Sequence, residues 1–485
     1  MSARERQQFG VIGDPIGHTL SPVIHHSFGQ TTGKELEYRP YLVKHEALGD
    51  TLRKMHASGI RGLNVTVPHK SAVIPFLTAI DPLAEKIGAV NTLVRDADGY
   101  RGYNTDVSGL KRALTEAGLQ LAGAHVVILG AGGAGRAAAF LCAGEGAAEI
   151  LILNRTREKA EALAEEVRGT MTGGSSAQVS VRAVDAASFI AGESAEDIRY
   201  LAIQCTSVGL YPHAEGSVIT DPAFFRKLSA AVDIVYRPYL TGFLSLAYRA
   251  GVPIVSGLSM LLYQAADAFS LWYPEVSLGK GDLSRAMHAL KAQALGFTGL
   301  CLTGFMGCGK TTVAETLAGI LNFDLWDTDR MIEEASGKSV RAIFADEGEE
   351  VFRRLETATL KRIDEAVADP WEGETDGVII STGGGVPVRE ENRKLLKDGH
   401  VVTVWLRVRP ETVMERLAGD ATRPLLAGSE EEKRQRITAL MRERESFYEE
   451  CATCVVDTDG RTPAEIAAAI LIRLCGSQAR QGERV

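Results

Sequence analysis

Short apolar runs, each bounded by glycine, proline or polar residues, recur along the chain, the pattern left by buried strands. Phe9-Gly-Val-Ile-Gly13 is the opening strand, and Asp14-Pro15-Ile16 through Thr19, Ser21 and Pro22 forms a loop leading into a helix. Gly62-Leu-Asn64-Val-Thr66 is a buried strand whose Pro68 turn presents Lys70. Gly88 to Thr92 and Gly102 to Asp106 set polar side chains beside small residues at element ends. Ala124–Leu129 and Glu149–Leu153 are strands separated by a helix over Arg136–Ala143. Leu283, Met287, Leu290 and Ala294 repeat at helical spacing after a candidate cap, Asp282. Strand Gly299–Thr303 follows within a few residues, then helix Thr312–Leu321, and strands at Phe323–Asp329 and Gly377–Ser381. Strands alternating with helices predict α/β architecture.

Composition narrows the picture. A length of 485 residues allows two to four domains. A hydrophobic fraction of 45% and a charged fraction of 24% are those of a globular protein. The net charge of −9 argues against nucleic acid as a partner, since no basic excess offsets phosphate repulsion. The charged start and the lack of a long apolar run argue against a leader or membrane span. Seven scattered cysteines suit a reducing cytoplasm. Cys451-x-x-Cys454 has no second pair and no nearby histidine, so it predicts no metal site.

Two glycine-rich turns carry chemistry. Gly304-Phe-Met-Gly307-Cys308-Gly309-Lys310-Thr311, followed by Thr312, fits G-x-x-x-x-G-K-[ST] between a strand and a helix. Such a loop turns backbone N–H groups toward phosphates, Lys310 reaches the β and γ oxygens, and the Thr311 hydroxyl ligates Mg²⁺. Gly130-Ala-Gly132-Gly133-Ala134-Gly135 lies between a strand and a helix with a second strand beyond, a Rossmann βαβ unit. Where an NAD site would offer an acid to the ribose, Asn154-Arg155-Thr156 stands instead. Arginine attracts a 2′-phosphate, so NADP is favoured over NAD.

The motifs of residues 9 to about 295 together resemble shikimate dehydrogenase: Asp14-Pro15-Ile16 with Ser21-Pro22, Asn64-Val-Thr66-Val-Pro68 with Lys70, Ala89-Val-Asn91-Thr92 and Asn104-Thr105-Asp106. The resemblance implies a catalytic Lys70–Asp106 pair. It also implies substrate contacts from Thr19, Ser21, Asn64, Thr66, Asn91, Asp106, Tyr236 and Gln264, with Gly257 and Met260 near the nicotinamide. A lysine held by a carboxylate suits ketone reduction, which needs a proton delivered to oxygen. Thr19 stands where Ser is usual in that family, Gln204 where Asn is usual, and Tyr103 where Asp is common. The Gly/Ser/Thr-rich stretch from Arg168 to Ala183 is expected as a surface insertion.

From residue 297 to about 475 the chain resembles shikimate kinase, through the phosphate loop, Asp327-Thr-Asp329, Phe352-Arg353, Thr382-Gly383-Gly384-Gly385, Arg423-Pro424 and Arg442-Glu-Arg444 with Tyr448. That resemblance assigns Asp327 with Thr311 to Mg²⁺ and Asp329 to the reacting hydroxyl. It gives Arg353, Arg444 and the Gly383–Gly385 amides to the substrate, Arg423 to a lid over the phosphates and Arg416 to the adenine. An isolated arginine is usually only a solvated ion pair; the ordered set points to a site.

The expected architecture is a substrate-binding α/β domain over 1–110, a Rossmann NADP-binding domain over 111–255, closing helices over 256–295, a P-loop kinase domain with a parallel sheet over 297–476, and a tail over 477–485. The expected activity is NADPH-dependent reduction of 3-dehydroshikimate followed by ATP- and Mg²⁺-dependent phosphorylation of shikimate, with small molecules as partners. Quinate or shikimate oxidation with NAD, and a non-catalytic nucleotide sensor, are the rival readings.

Overall fold

The computed structural model describes residues 6–17, 19–170, 179–192, 198–211, 213–214, 216–368, 376–418 and 429–482. The chain divides into two compact units, Met1–Ala294 and Leu295–Val485. Among the described residues the first holds two sheets and the second holds one.

The first sheet is built from β1 (Gln7–Gly13), β2 (Leu36–Leu42), β3 (Gly62–Val65), β4 (Ala79–Ile80), β5 (Thr92–Arg95) and β6 (Tyr100–Tyr103), in the order β2-β1-β3-β5-β6-β4. Its β2-β1-β3 half is parallel, and β5 pairs antiparallel to both β3 and β6. Ile12, Leu63, Val65, Val90 and Leu93 are buried in its core. This sheet brings the ends of β1 and β3 and the start of β5 side by side, so motifs far apart in sequence meet there.

The second sheet is parallel throughout, with β7 (His125–Leu129), β8 (Glu149–Leu153), β9 (Ser180–Ala183), β10 (Tyr200–Gln204), β11 (Leu228–Asp233) and β12 (Ile254–Val255) ordered β12-β11-β10-β7-β8-β9. The strand order reverses between β7 and β10, the position where open α/β sheets bind ligands. The glycine-rich turn leaves β7 at that point. Its helix runs over Gly133–Gly144, three residues earlier than the apolar pattern predicts, because the glycines themselves form the first turn. Of the stretch expected as an insertion, Arg168 and Gly169 end a helix and Ser180–Ala183 is β9; residues 171–178 lie outside the described residues.

The helix Gly257–Trp272 returns to the first sheet. Its Trp272 Nε1 donates to the Leu93 carbonyl at 3.0 Å. A Cβ at Gly109 would stand 2.7 Å from the Gln264 nitrogen, so a side chain there would push this helix away. In the helix Lys280–Leu295, Asp282 lies inside the first turn and accepts from the Gly279 N–H, rather than preceding the helix as its cap.

The second unit has one parallel sheet of β13 (Gly299–Thr303), β14 (Asp324–Asp327), β15 (Val378–Ser381), β16 (Val401–Arg407) and β17 (Cys454–Asp457), ordered β14-β15-β13-β16-β17. The phosphate loop leaves the central strand, whose residues are all buried. Asp327 at the end of β14 is in register with Ser381 of β15, which is in register with Leu302 of β13. The acids and the loop therefore share one edge of the sheet. Cys451 is buried in this core, and the described residues hold no cluster of three or more potential metal-binding side chains. Among the described residues no helix is long and apolar enough to cross a membrane.

Candidate active sites

In the first unit the turn after β3 delivers Lys70, and Asp106 opens the helix Asp106–Glu116. Asn104 accepts from the Asp106 N–H at 3.0 Å, so a neighbouring amide serves the helix start and leaves the Asp106 carboxylate free. Lys70 Nζ donates to Asp106 Oδ2 at 2.7 Å, with the lysine side chain 19% exposed and the aspartate 2%. Asn91 Nδ2 reaches Asp106 Oδ1 at 2.9 Å, Gln264 Oε1 at 2.9 Å and Thr105 Oγ1 at 3.0 Å. The Thr105 N–H donates back to Asn91 Oδ1 at 2.7 Å, which fixes the amide's orientation.

Asn64 on β3 accepts from the Tyr38 hydroxyl at 2.7 Å and donates to Thr92 Oγ1 at 3.2 Å. Thr66, in the turn that follows, is pinned by its N–H to the Ile12 carbonyl at 2.9 Å. Thr19 Oγ1 donates to Ser21 Oγ at 3.1 Å and accepts from the Ser21 N–H at 3.3 Å, at the start of the helix Ser21–Thr32. Burial pushes the Tyr236 phenol above its ordinary range, and a bond to Thr19 opposes that push. Tyr38 was not anticipated; it sits mid-way along β2 with no motif around it, and its only signal is one buried aromatic between half-buried Glu37 and exposed Arg39. His25 stacks on Tyr38 with ring centroids 4.4 Å apart, and burial holds it neutral, with a pKa of about 3.

The dinucleotide loop lies against Lys70. Gly130 has φ 112°, and a Cβ at Gly135 would fall 2.0 Å from the Gly130 carbonyl oxygen, so neither position admits a side chain. A Cβ at Gly133 would stand 3.8 Å from Lys70 Cδ, which places the helix start and its N–H groups beside the lysine. Gly132 and Ala134 occupy the same turn, open enough at Gly132 that an added Cβ would meet nothing. Asn154 braces the loop, accepting from the Ala131 N–H at 3.2 Å and donating to the Thr156 carbonyl at 2.8 Å. Arg155 is exposed at the end of β8. Gly257 packs so closely on β11 that a Cβ would lie 2.4 Å from the Ile234 oxygen, and Met260 one turn later is buried. A side-chain-free cradle at a helix start, with a guanidinium at the adjacent strand end, fits a dinucleotide bearing a 2′-phosphate.

Gln204 and Asp233, at the ends of β10 and β11, form a second buried node. Asp233 accepts from Thr241 Oγ1 at 2.6 Å, the Val235 N–H at 2.9 Å and Gln204 Nε2 at 3.3 Å. Burial still outweighs these donors and pushes its carboxyl up to about 7.

In the second unit Gly304, Gly307 and Gly309 have φ of 144°, 77° and 95°, and a Cβ at Gly304 would fall 2.5 Å from the Leu406 oxygen. Lys310 Nζ donates to the carbonyls of Gly304 at 2.8 Å and Phe305 at 3.1 Å, curling over the loop, with Cys308 buried beneath it. Thr311 and Thr312 are exposed in the first turn of the helix Lys310–Leu321. Asp327 Oδ1 caps the helix Thr328–Ser336, accepting from the N–H groups of Asp329 at 3.1 Å and Arg330 at 3.2 Å. Asp329 therefore stands on a helix, not in the strand that its apolar neighbours suggested. A half-buried carboxylate at the strand end and an exposed hydroxyl after the loop lysine are hard oxygen donors of the kind Mg²⁺ takes.

Asp329 and Glu356 converge on Gly383: a Cβ there would stand 2.9 Å from Asp329 Oδ1 and 3.0 Å from Glu356 Oε1. Both oxygens are buried without a hydrogen-bond partner among the described residues. Burial, and then the neighbouring Asp327, push the Asp329 carboxyl above its ordinary range. Arg353 donates to Glu356 at 2.7 Å and to Glu349 at 2.9 Å. A Cβ at Gly385 would collide with the Arg353 guanidinium, 2.3 Å from Nη1. Tyr448 OH at 2.7 Å and Arg444 Nη1 at 3.4 Å both donate to the Gly384 carbonyl, while Arg444 Nε is buried without a partner among the described residues. Arg416 binds the carbonyls of Gly307 at 3.0 Å and Thr458 at 3.1 Å, bracing the phosphate loop. Arg423 lies outside the described residues.

The folds and sites define a pyridine-nucleotide oxidoreductase followed by a P-loop phosphotransferase. Residues 11–93 match the family model described as shikimate dehydrogenase substrate binding domain, residues 111–199 that of shikimate / quinate 5-dehydrogenase, and residues 306–475 that of shikimate kinase. The NADP(+) shikimate dehydrogenase of Moorella thermoacetica is 44% identical over 262 residues, covering 54% of this chain and 86% of that protein. That of Methanothermobacter thermautotrophicus is 40% identical over 288 residues, covering 58% and 96%. The crystal structure of shikimate 5-dehydrogenase from Thermus thermophilus with NADP(H) and shikimate aligns with a TM-score of 0.51 at 35% identity, covering 59% of this chain and 99% of that one. The chain belongs to the shikimate dehydrogenase family and carries a shikimate kinase domain after it, which makes it a bifunctional enzyme of the shikimate pathway.

Proposed function

We propose that residues 6–295 reduce 3-dehydroshikimate to shikimate with NADPH, and that residues 297–475 phosphorylate shikimate with ATP and Mg²⁺. The observation that carries the first half is the 2.7 Å Lys70–Asp106 contact set against the dinucleotide loop. NADPH, when bound, supplies the hydride. Lys70 delivers the proton to the developing alkoxide, and Asp106 orients its ammonium and binds a substrate hydroxyl. Asn64, Asn91 and Gln264 hold hydroxyls, while Thr19, Ser21, Thr66 and Tyr236 face the carboxylate end. Gly130 to Gly135 cradle the pyrophosphate, Arg155 with Asn154 and Thr156 takes the 2′-phosphate, and Gly257 and Met260 line the nicotinamide side.

In the second half ATP, when bound, supplies the phosphoryl group. Gly304 to Gly309 direct amides at the phosphates, Lys310 neutralises charge as the group moves, and Asp327 with Thr311 holds Mg²⁺. Asp329 takes the proton of the attacking hydroxyl, a role its raised pKa suits. Arg353, Arg444 and the Gly383–Gly385 backbone seat the substrate. Arg416 flanks the nucleotide and Arg423 closes over it.

The acidic net charge favours small-molecule partners over nucleic acid, and the scattered cysteines favour a reducing cytoplasm as the location. The test gives the full chain 3-dehydroshikimate, NADPH, ATP and Mg²⁺ and follows NADPH oxidation and ADP release separately. Equimolar NADP⁺ and ADP are expected. ADP release without prior NADPH oxidation would refute the order of the two steps.

A further inference from the structure

The helix that opens the dinucleotide site carries an arginine facing away from the cofactor. Arg136, in the first turn of Gly133–Gly144, donates from Nε to the Ile87 carbonyl at 2.7 Å and pairs through Nη2 with Glu166 at 2.6 Å. Ile87 ends the helix Pro82–Ile87 in the substrate-binding half. Gly88 closes that helix in the left-handed conformation (φ 69°), its own N–H bonding the Ala84 and Glu85 carbonyls. The Ile87 carbonyl is one of the acceptors that a helix end leaves without an internal donor. Arg136 supplies the donor from across the cleft. A Cβ at Gly88 would stand 3.4 Å from Arg136 Nη2, so the strip and the guanidinium are in close contact.

The same strip runs on into the catalytic pair. Ser71 Oγ donates to the Gly88 carbonyl at 2.9 Å, and the Val90 N–H to the Lys70 carbonyl at 2.8 Å. Asn91, next in line, donates to Asp106 at 2.9 Å. Five consecutive residues, 87 to 91, therefore touch Arg136 at one end and the backbone of Lys70 and the carboxylate of Asp106 at the other. We propose that Arg136 is a positioning residue that sets the register between the dinucleotide-binding helix and the Lys70–Asp106 pair, so that occupancy of one half is felt in the other. The inference rests on the roles of Lys70 and Asp106 given above.

The test measures shikimate binding to the full chain with and without saturating NADP⁺, alongside steady-state reduction. The wild-type chain is expected to bind shikimate several-fold more tightly when NADP⁺ is present, a coupling of ordinary size. In Arg136→Gln that enhancement should collapse to near unity. The kcat for reduction should drop about tenfold, since small misplacements of reacting groups are costly, with the KM for 3-dehydroshikimate nearly unchanged. Arg136→Lys, which keeps one donor for Ile87, should recover part of the coupling. Glu166→Gln, which removes only the surface pair, should keep all of it. A thermal unfolding transition of the first unit like that of the wild type, in every variant, reports that this unit is folded. The proposal is overturned by a wild-type chain without coupling, by an Arg136→Gln chain that keeps it, or by a Glu166→Gln chain that loses it equally. Failure of the Lys70 assignment would show separately, as persistent reduction by Lys70→Ala.

Discussion

The two sites solve the same problem, burying polar groups, in different ways. Lys70, Asp106 and Asn91 each find a partner within the protein: Asn91 alone reaches three acceptors, and its own oxygen is held by the Thr105 N–H. Around Gly383 the carboxylates of Asp329 and Glu356 each keep a buried oxygen without a partner among the described residues, and so does the Arg444 Nε. A satisfied network is rigid and costs little to maintain, whereas unpaired buried groups reduce stability. The dehydrogenase pair is thus preorganised by its own hydrogen bonds, and the kinase site holds unpaired buried groups that, under the roles proposed above, a substrate hydroxyl and carboxylate would relieve.

The sharpest way to break that contrast is Asp329→Asn. Phosphorylation should fall by at least ~10²-fold, the span of general acid–base groups, while the kinase unit becomes more stable at neutral pH. The sign follows from the raised pKa. The folded state binds more protons than the unfolded one, so the ionised carboxylate costs stability above the folded pKa, and the cost disappears as pH falls below the ordinary aspartate range. Thermal denaturation at pH 8 and pH 4 checks this; destabilisation at both would mean that Asp329 is well paired in the fold.

Arg155→Ala should weaken NADPH by roughly 1.5–3 kcal/mol, the range for hydrogen bonds to charged groups, and leave NADH almost untouched. Titration with both cofactors decides it, and equal losses would make Arg155 structural. Asn91→Ala, in the satisfied site, should cost about 1–3 kcal/mol of stability in the first unit, because it strands buried acceptors. Chemical denaturation that shows no change would refute preorganisation there.

A pH effect sharpens the comparison from inside the dehydrogenase. Asp233 is surrounded by donors yet has its carboxyl pushed up to about 7 by burial. Stability should therefore decline as pH rises from the ordinary aspartate value to about 7, by up to a few kcal/mol at ~1.4 kcal/mol per unit. Asp233→Asn, whose oxygen can still accept from the Val235 N–H while its amide donates to Thr241 Oγ1 in place of accepting from it, should flatten that decline. An unchanged pH slope in the variant would place the titration elsewhere.

The glycine turns and Lys310 were legible because their chemistry requires a residue type at a fixed spacing within one short segment, whereas Lys70 and the acids were singled out by the family resemblance. Tyr38, Glu356 beside Asp329 at Gly383, and the Arg136–Ile87 bond were not read as parts of a site. Each owes its place to packing between segments far apart in the chain, on which periodicity is silent. Periodicity alone did not place Gly257–Trp272 on the first sheet, since an apolar helix does not say which surface it covers; the family resemblance did, by bringing Gln264 to the substrate beside Asn91. Local errors had local causes: Asp282 accepts backward from the Gly279 N–H, and Gly133 and Gly135 of the dinucleotide turn are helical because their helix starts on the phosphate cradle itself.

The most direct measurement separates the two sites within one reaction. Lys70→Ala and Lys310→Ala chains are each given 3-dehydroshikimate, NADPH, ATP and Mg²⁺, then mixed. Lys70→Ala should leave NADPH unoxidised yet release ADP once shikimate is added, and Lys310→Ala should oxidise NADPH at the wild-type rate, accumulate shikimate and release almost no ADP. The mixture should carry substrate through both steps. Substantial NADPH oxidation by Lys70→Ala, or ADP release by Lys310→Ala, would contradict the assignment of the two sites.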